Sequence, residues 1–226
     1  MKLTWDATGS RRYETGTKNG VLYPMTTENG AAVYGKGVAW NGLTAVTVSP
    51  EGAEPTDLWA DNIKYATLRS AETLGLTIEA YTYPDEFAAC DGSATPNGSA
   101  GVHVGQQKRN SFGFCFRTEI GNDTGTDTDD GYILHLIYGC TATPSEKSYE
   151  SINDSPDAIT FSWEVDTLPV AVTGFQPTAS IEINSLECDA TCLAALEDIL
   201  YGTAEVEPRL PLPDEVITIM RPTTGG

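Results

Sequence analysis

Three observations predict a mainly β protein with one or two short helices and extended terminal arms. Short apolar runs are punctuated by 22 Gly and 13 Pro, with Thr and Ser between them, which is strand-and-turn composition. Within the runs, apolar and polar residues alternate with period two, the pattern of a sheet packed on one side. Asn29-Gly30, between Leu22-Tyr23 and Val33-Tyr34, is a two-residue hairpin signal, because both central residues of that turn take φ > 0.

Taken in order, the chain next offers a strand over 38–48, in which Asn41-Gly42 is either a turn or a bulge inside one longer strand. A strand follows over 63–69. Leu74, Leu76, Ile78 and Ala80 then alternate with Gly75, Thr77, Glu79 and Tyr81. Pro84 at a first helical position, with Asp85 and Glu86 behind it and Gly92 as a stop, predicts a short helix over 84–89. The Gly-, Ser- and Asn-rich stretch 91–105 reads as a loop.

Phe112, Phe114, Phe116, Thr118 and Ile120 oppose Ser111, Gly113, Cys115, Arg117 and Glu119 in the next strand. Over 132–141 both faces are apolar: Tyr132, Leu134, Leu136 and Tyr138 lie on one, Ile133 and Ile137 on the other. That strand is either central and covered on both faces, or turns its outer face to a partner. Ile159, Phe161, Trp163 and Val165 alternate with Thr160, Ser162, Glu164 and Asp166, and a further strand is expected at 179–184.

A helix over 189–201 has Asp189 as N-cap, Leu193, Leu196, Ile199 and Leu200 on one face, and Gly202 to end it. Beyond it, Pro208 to Pro213 and the apolar run Val216, Ile217, Thr218, Ile219, Met220 predict an extended arm with a short strand. Val216, Ile217 and Ile219 are its candidates for docking on a neighbouring subunit. The chain therefore divides into an N-terminal arm (1–20), a β domain (21–202) and a C-terminal arm (203–226).

With 13 Lys and Arg against 32 Asp and Glu, the net charge is −19, and no basic cluster exists to bind nucleic acid or an anionic membrane. Acidity of this size also marks disordered chains, but 40% hydrophobic residues are enough for a core. No apolar stretch follows Lys2, and the longest apolar run, 132–138, is too short to span a bilayer, so a soluble product of the cytosol is expected. Five cysteines at irregular spacing, without an export signal, read as reduced thiols.

The catalytic inventory is thin. The loop 123–131 crowds Asp123, Asp127, Asp129 and Asp130, as calcium loops do, but lacks the Gly and the terminal Glu of an EF-hand; Asp123, Asp127 and Asp129 stand as weak metal candidates. Cys188 and Cys192 lack zinc-ribbon spacing. His135 lies inside an apolar strand and His103 in a Gly-rich loop, neither with a nucleophile and carboxylate in pattern. No enzyme, cofactor or resident metal is expected.

One resemblance stands out. The run from Gly37 to Gly52 (GVAWNGLTAVTVSPEG), then Trp59 to Tyr65 (WADNIKY), then Gly75 to Phe87 (GLTIEAYTYPDEF), then Tyr138 to Ala142 (YGCTA) and Ile159 to Trp163 (ITFSW), in that order, resembles the siphophage major tail (tail tube) proteins. The blocks cover residues 18–185, and both ends depart from the pattern. The resemblance implies a tail-tube β-sandwich or barrel, and hexameric rings of identical subunits stacked into a tube that is part of the virion. It implies a tape-measure protein and tail terminator and initiator proteins as partners, and phage DNA passing through the lumen without sequence-specific binding. On that pattern the strands at 63–69 and 74–83 face the channel, with Asp61, Glu72 and Glu79 as lumen-lining candidates. Two other readings suit the composition: a surface-decorating or carbohydrate-binding β-sandwich with Trp5, Trp40 or Trp59 as platform, and a single-ring terminator or connector.

Overall fold

The computed structural model describes residues 3–28, 31–52, 54–70, 72–124, 131–149, 151 and 158–222. Its strands are β1 (Arg12–Glu28), β2 (Ala31–Tyr34), β3 (Val38–Trp40), β4 (Leu43–Gly52), β5 (Pro55–Ala60), β6 (Ile63–Arg69), β7 (Glu72–Ala80), β8 (Phe112–Asn122), β9 (Gly131–Ala142), β10 (Phe161–Thr167) and β11 (Ser180–Asn184). Two helices follow, α1 (Ala190–Tyr201) and α2 (Pro213–Ile219). The chain is mainly β, as its composition and alternation predict. No helix among the described residues is long and apolar enough to cross a membrane.

Nine strands form one antiparallel sheet in the order β2-β1-β8-β9-β10-β7-β4, with β3 beside β1 and β11 beside β9. Strand β9 pairs with β11 through 133–137 and with β10 through 140–142. Between these stretches Gly139 takes φ +61, and the β8 register shifts there. This bulge lets β9 belong to both halves of the sheet. The halves β1-β8-β9-β11 and β10-β7-β4 enclose a shared core, the β-sandwich arrangement.

That core is aromatic. Phe112, Phe114 and Phe116 of β8 meet Leu76 and Ile78 of β7 and Trp163 and Val165 of β10. Trp40 and Phe87 pack at 4.6 Å between centroids, and Phe87 lies edge-on to Trp163 at 5.2 Å. The Trp40 indole N–H donates to Thr82 O at 2.9 Å, which satisfies its polar edge on burial.

A second core lies on the other face of β1-β8-β9-β11. Cys115, Leu134, Leu136 and Tyr138 meet Leu193, Leu196 and Leu200 of α1 and, beyond it, Leu210 and Val216. Each such leucine contributes about 1.5–3 kcal/mol by leaving water. Two buried hydroxyls find backbone acceptors: Tyr23 donates to Leu200 O at 2.7 Å and Tyr138 to Pro211 O at 3.1 Å. β9 is thus the central strand covered on both faces. Helix α1 starts as predicted, with the Asp189 carboxylate accepting from Thr191 N and Cys192 N.

Several expectations need correction. Residue 20 is no boundary, because β1 begins at Arg12 and pairs with β8 from Arg12↔Asn122 onward. The 38–48 strand is two strands: β3 pairs with β1 and β4 with β7, so Asn41-Gly42 is the corner between the two halves of the sheet. The short helix expected at 84–89 does form, as a 3-10 helix over Asp85–Ala89. The segment around Val216 is the helix α2, not a strand. Its Pro213 and Val216 are buried, Leu210 ahead of it packs on Gly113 and Tyr34, and Gly37 N donates to Pro208 O at 2.8 Å. Residues 208–219 therefore clasp the chain's own sheet. The Asn29-Gly30 dipeptide lies outside the described residues; β1 and β2 pair antiparallel on either side of it.

Candidate functional surface

The outer face of β4-β7-β10 is the most distinctive surface. On β7, Leu76, Ile78 and Ala80 point into the core, so alternation puts Thr73, Gly75, Thr77 and Glu79 outside. Register carries the same side across both neighbours. On β10, Ser162 pairs with Glu79, Glu164 with Thr77 and Asp166 with Gly75. On β4, Ala45 pairs with Glu79, Thr47 with Thr77, Ser49 with Gly75 and Glu51 with Thr73. The face is built from Ala, Gly, Ser and Thr with the carboxylates Glu51, Glu79, Glu164 and Asp166. No Lys, Arg or aromatic residue stands among these positions, and among the described residues none of the four carboxylates is in an ion pair. Chemically it is a flat, unpaired anionic sheet. Its hydroxyls can donate hydrogen bonds, but it carries no cation among these positions to attract a polyanion.

β5 and β6 leave this sheet as a hairpin of their own. Its turn, Asp61-Asn62, has φ of 50° and 62°, the left-handed pair that a tight hairpin needs and that Asp and Asn tolerate. The hairpin is amphipathic. Asp57 takes the Lys64 ammonium at 2.7 Å and the Thr67 hydroxyl at 2.9 Å on one face. Alternation and the Leu58↔Ala66, Thr56↔Leu68 and Ala60↔Ile63 pairs place Leu58, Ile63 and Leu68 on the other. These are 42%, 62% and 56% exposed, and Tyr65 is 74% exposed. Among the described residues, no other element packs over this apolar face.

The predicted site residues therefore separate. Glu79 lies on the anionic face. Glu72 pairs with Gly52 at the exposed end of β7, on the side of Leu74 and Leu76. Asp61 is at the hairpin tip, away from both. Strand 63–69 lies outside the sandwich. Val216 is buried in the second core, Ile219 packs against it, and Ile217 is 36% exposed. Asp123 is occupied by its own chain: it accepts from Gly9 N at 2.9 Å and faces the Arg11 guanidinium at 3.5 Å. Asp127 and Asp129 lie outside the described residues. Trp40 is a core residue, whereas Trp5 and Trp59 are exposed.

No protein-family model matches the chain, and no curated protein matches it.

Other chemistry-bearing groups are spoken for. Burial pushes the Cys90 and Cys115 thiols up to about 12, so both stay protonated and act as core hydrophobes. His103 is exposed, 3.4 Å from the Thr95 hydroxyl. A cleft of about 450 Å³ runs between the irregular part of β1 and the end of α1, lined by Lys18, Asn19, Trp40, Leu43 and Tyr201. The Lys18 ammonium there is taken by Glu119.

Sequence reasoning missed Glu51, Glu164 and Asp166. Their outward side was readable from alternation in each strand. What joins them to Glu79 is the pairing of β10 and β4 with β7, a contact between residues far apart in sequence.

Proposed function

We propose that this chain is the major tail tube subunit of a long-tailed bacteriophage, and that the outer face of β4-β7-β10 lines the tube lumen. The observation that carries the reading is the composition of that face: small residues and unpaired carboxylates with no cation. Double-stranded DNA carries one negative charge per ~1.7 Å of axis, so a wall of like charge without basic residues lets it slide instead of adhering. Salt screens that repulsion over about 8–10 Å, which confines it to DNA running close to the wall.

The β5-β6 hairpin supports the second half of the reading, self-assembly. A well-formed hairpin with an uncovered apolar face is marginal alone and gains its cover from a neighbouring copy. Head-to-tail contacts of that kind close into rings when the rotation allows. The order of the tail-tube-like blocks along residues 18–185 agrees with hexameric rings stacked in a virion tail. In that reading the partners are a tape-measure protein and the terminator and initiator of the tail.

Negative-stain microscopy of the concentrated protein tests it. Long hollow tubes are expected; single closed rings would favour a terminator or connector, and dispersed monomers would remove the tube reading. Tubes of the Glu79→Lys, Glu164→Lys double variant are expected to form normally and to retain DNA in low salt where wild-type tubes release it. Equal DNA retention by both would count against the lumen assignment.

A further inference from the structure

A polar chain crosses the first half of the sheet at one point, at right angles to the strands. On β8 the Thr118 hydroxyl donates to a Glu14 carboxylate oxygen of β1 in a short contact, and its oxygen lies 3.0 Å from Nε2 of His135 on β9. A hydroxyl has one hydrogen. With it given to Glu14, the Thr118 oxygen accepts and Nε2 must donate. Across the ring, Nδ1 is 3.5 Å from Oε1 of Glu182 on β11, a group that when ionised only accepts. The ring is 8% exposed and stacks on Phe116 at 4.5 Å and 7°.

The charged groups facing the ring are Glu14 from β1 and Glu182 from β11; β8 contributes Thr118 and Phe116. Arg117 and Glu119 of β8 alternate to the opposite face, where Arg117 lies over the Tyr132 ring and Glu119 takes Lys18. A neutral ring donating from Nε2 aims the Nδ1 lone pair at the Glu182 carboxylate. A protonated ring aims an N–H at both sides.

We propose that His135 is a proton-operated clasp: with a proton from solvent it ties edge strand β11 and the start of β1 onto β8 and β9, and on losing it lets them loosen. The inference concerns a single subunit and is independent of the tube reading. Its sign is set by the charges. The grip fades as pH rises and the imidazolium deprotonates, and fades again in acid as Glu14 and Glu182 are neutralised.

The test is amide hydrogen exchange of Ile181 and Ile183 on β11, corrected for intrinsic rates, with β10 amides as internal reference. In the wild type, β11 protection is expected to fall about 1.5- to 5-fold between about pH 5.5 and about pH 8, the range of partly exposed ion pairs. The fall should vanish in His135→Gln and in Glu182→Gln. A wild-type fall that persists in both variants, or no fall at all, overturns the clasp. Should His135→Gln fail to fold, Glu182→Gln, at a side chain 67% exposed, carries the test alone.

Discussion

At Gly139 an added methyl group would lie 2.2 Å from the carbonyl oxygen of Leu168, in a backbone that already has φ +61. Gly98 has φ +80 as well, but open space around it. The two separate the costs of conformation and collision. Gly98→Ala is expected to cost about 1 kcal/mol, the left-handed penalty alone. Gly139→Ala should exceed that, at about 2 kcal/mol or more, because backbone must move at the bend that joins the two halves of the sheet. Urea unfolding of both variants, read as a midpoint shift at unchanged slope, checks the difference; equal losses would contradict it. In the sequence Gly139 is just one Gly in a strand. Glu79 could be placed outward because its neighbours Ile78 and Ala80 fix the alternation.

At the scale of elements, the C-terminal clasp is where local reading and packing part company. The helix signals of α2 were present, Pro213 at its first position and Asp214-Glu215 behind it. The β-branched run Val216, Ile217, Thr218, Ile219 carries the opposite, strand preference. Burial of Val216 and Leu210 against the sheet decides for the helix, because tertiary contacts override weak intrinsic preference. Two carboxylates hold the clasp. The Arg209 guanidinium keeps Glu215 below the usual carboxylate range, and the Thr173 amide, then its hydroxyl, does so for Asp214. A folded-state value lowered in this way stabilises the clasp above the ordinary carboxylate range, and that stability is lost as pH falls through it. Acidification is therefore expected to raise amide exchange in α2 before the sandwich unfolds. Asp214→Asn with Glu215→Gln should remove that pH dependence; an α2 that holds until global unfolding would contradict it.

For the whole molecule, the separation of roles between surfaces leads to an assembly prediction. Replacing Leu58, Ile63 and Leu68 by Ser changes exposed positions only, so monomer stability is expected to stay within about 0.5 kcal/mol per site. Self-assembly should be lost, as read by sedimentation and microscopy. Unchanged assembly would show that the apolar hairpin face is not a subunit contact. The sequence by itself determined the β class, the alternation that makes each strand one-sided, the α1 helix with its Asp189 cap, and the acidity of the chain. These are local or summed properties, written in period, capping and composition. Only the tertiary structure decided that β9 is covered on both faces, that residues 208–219 close on their own sheet, and that Glu79 shares a face with Glu51, Glu164 and Asp166. Each of these depends on strand order and on the bend at Gly139. Pairing between residues distant in the chain is selected by burial of the two cores together, and no window of the sequence contains it.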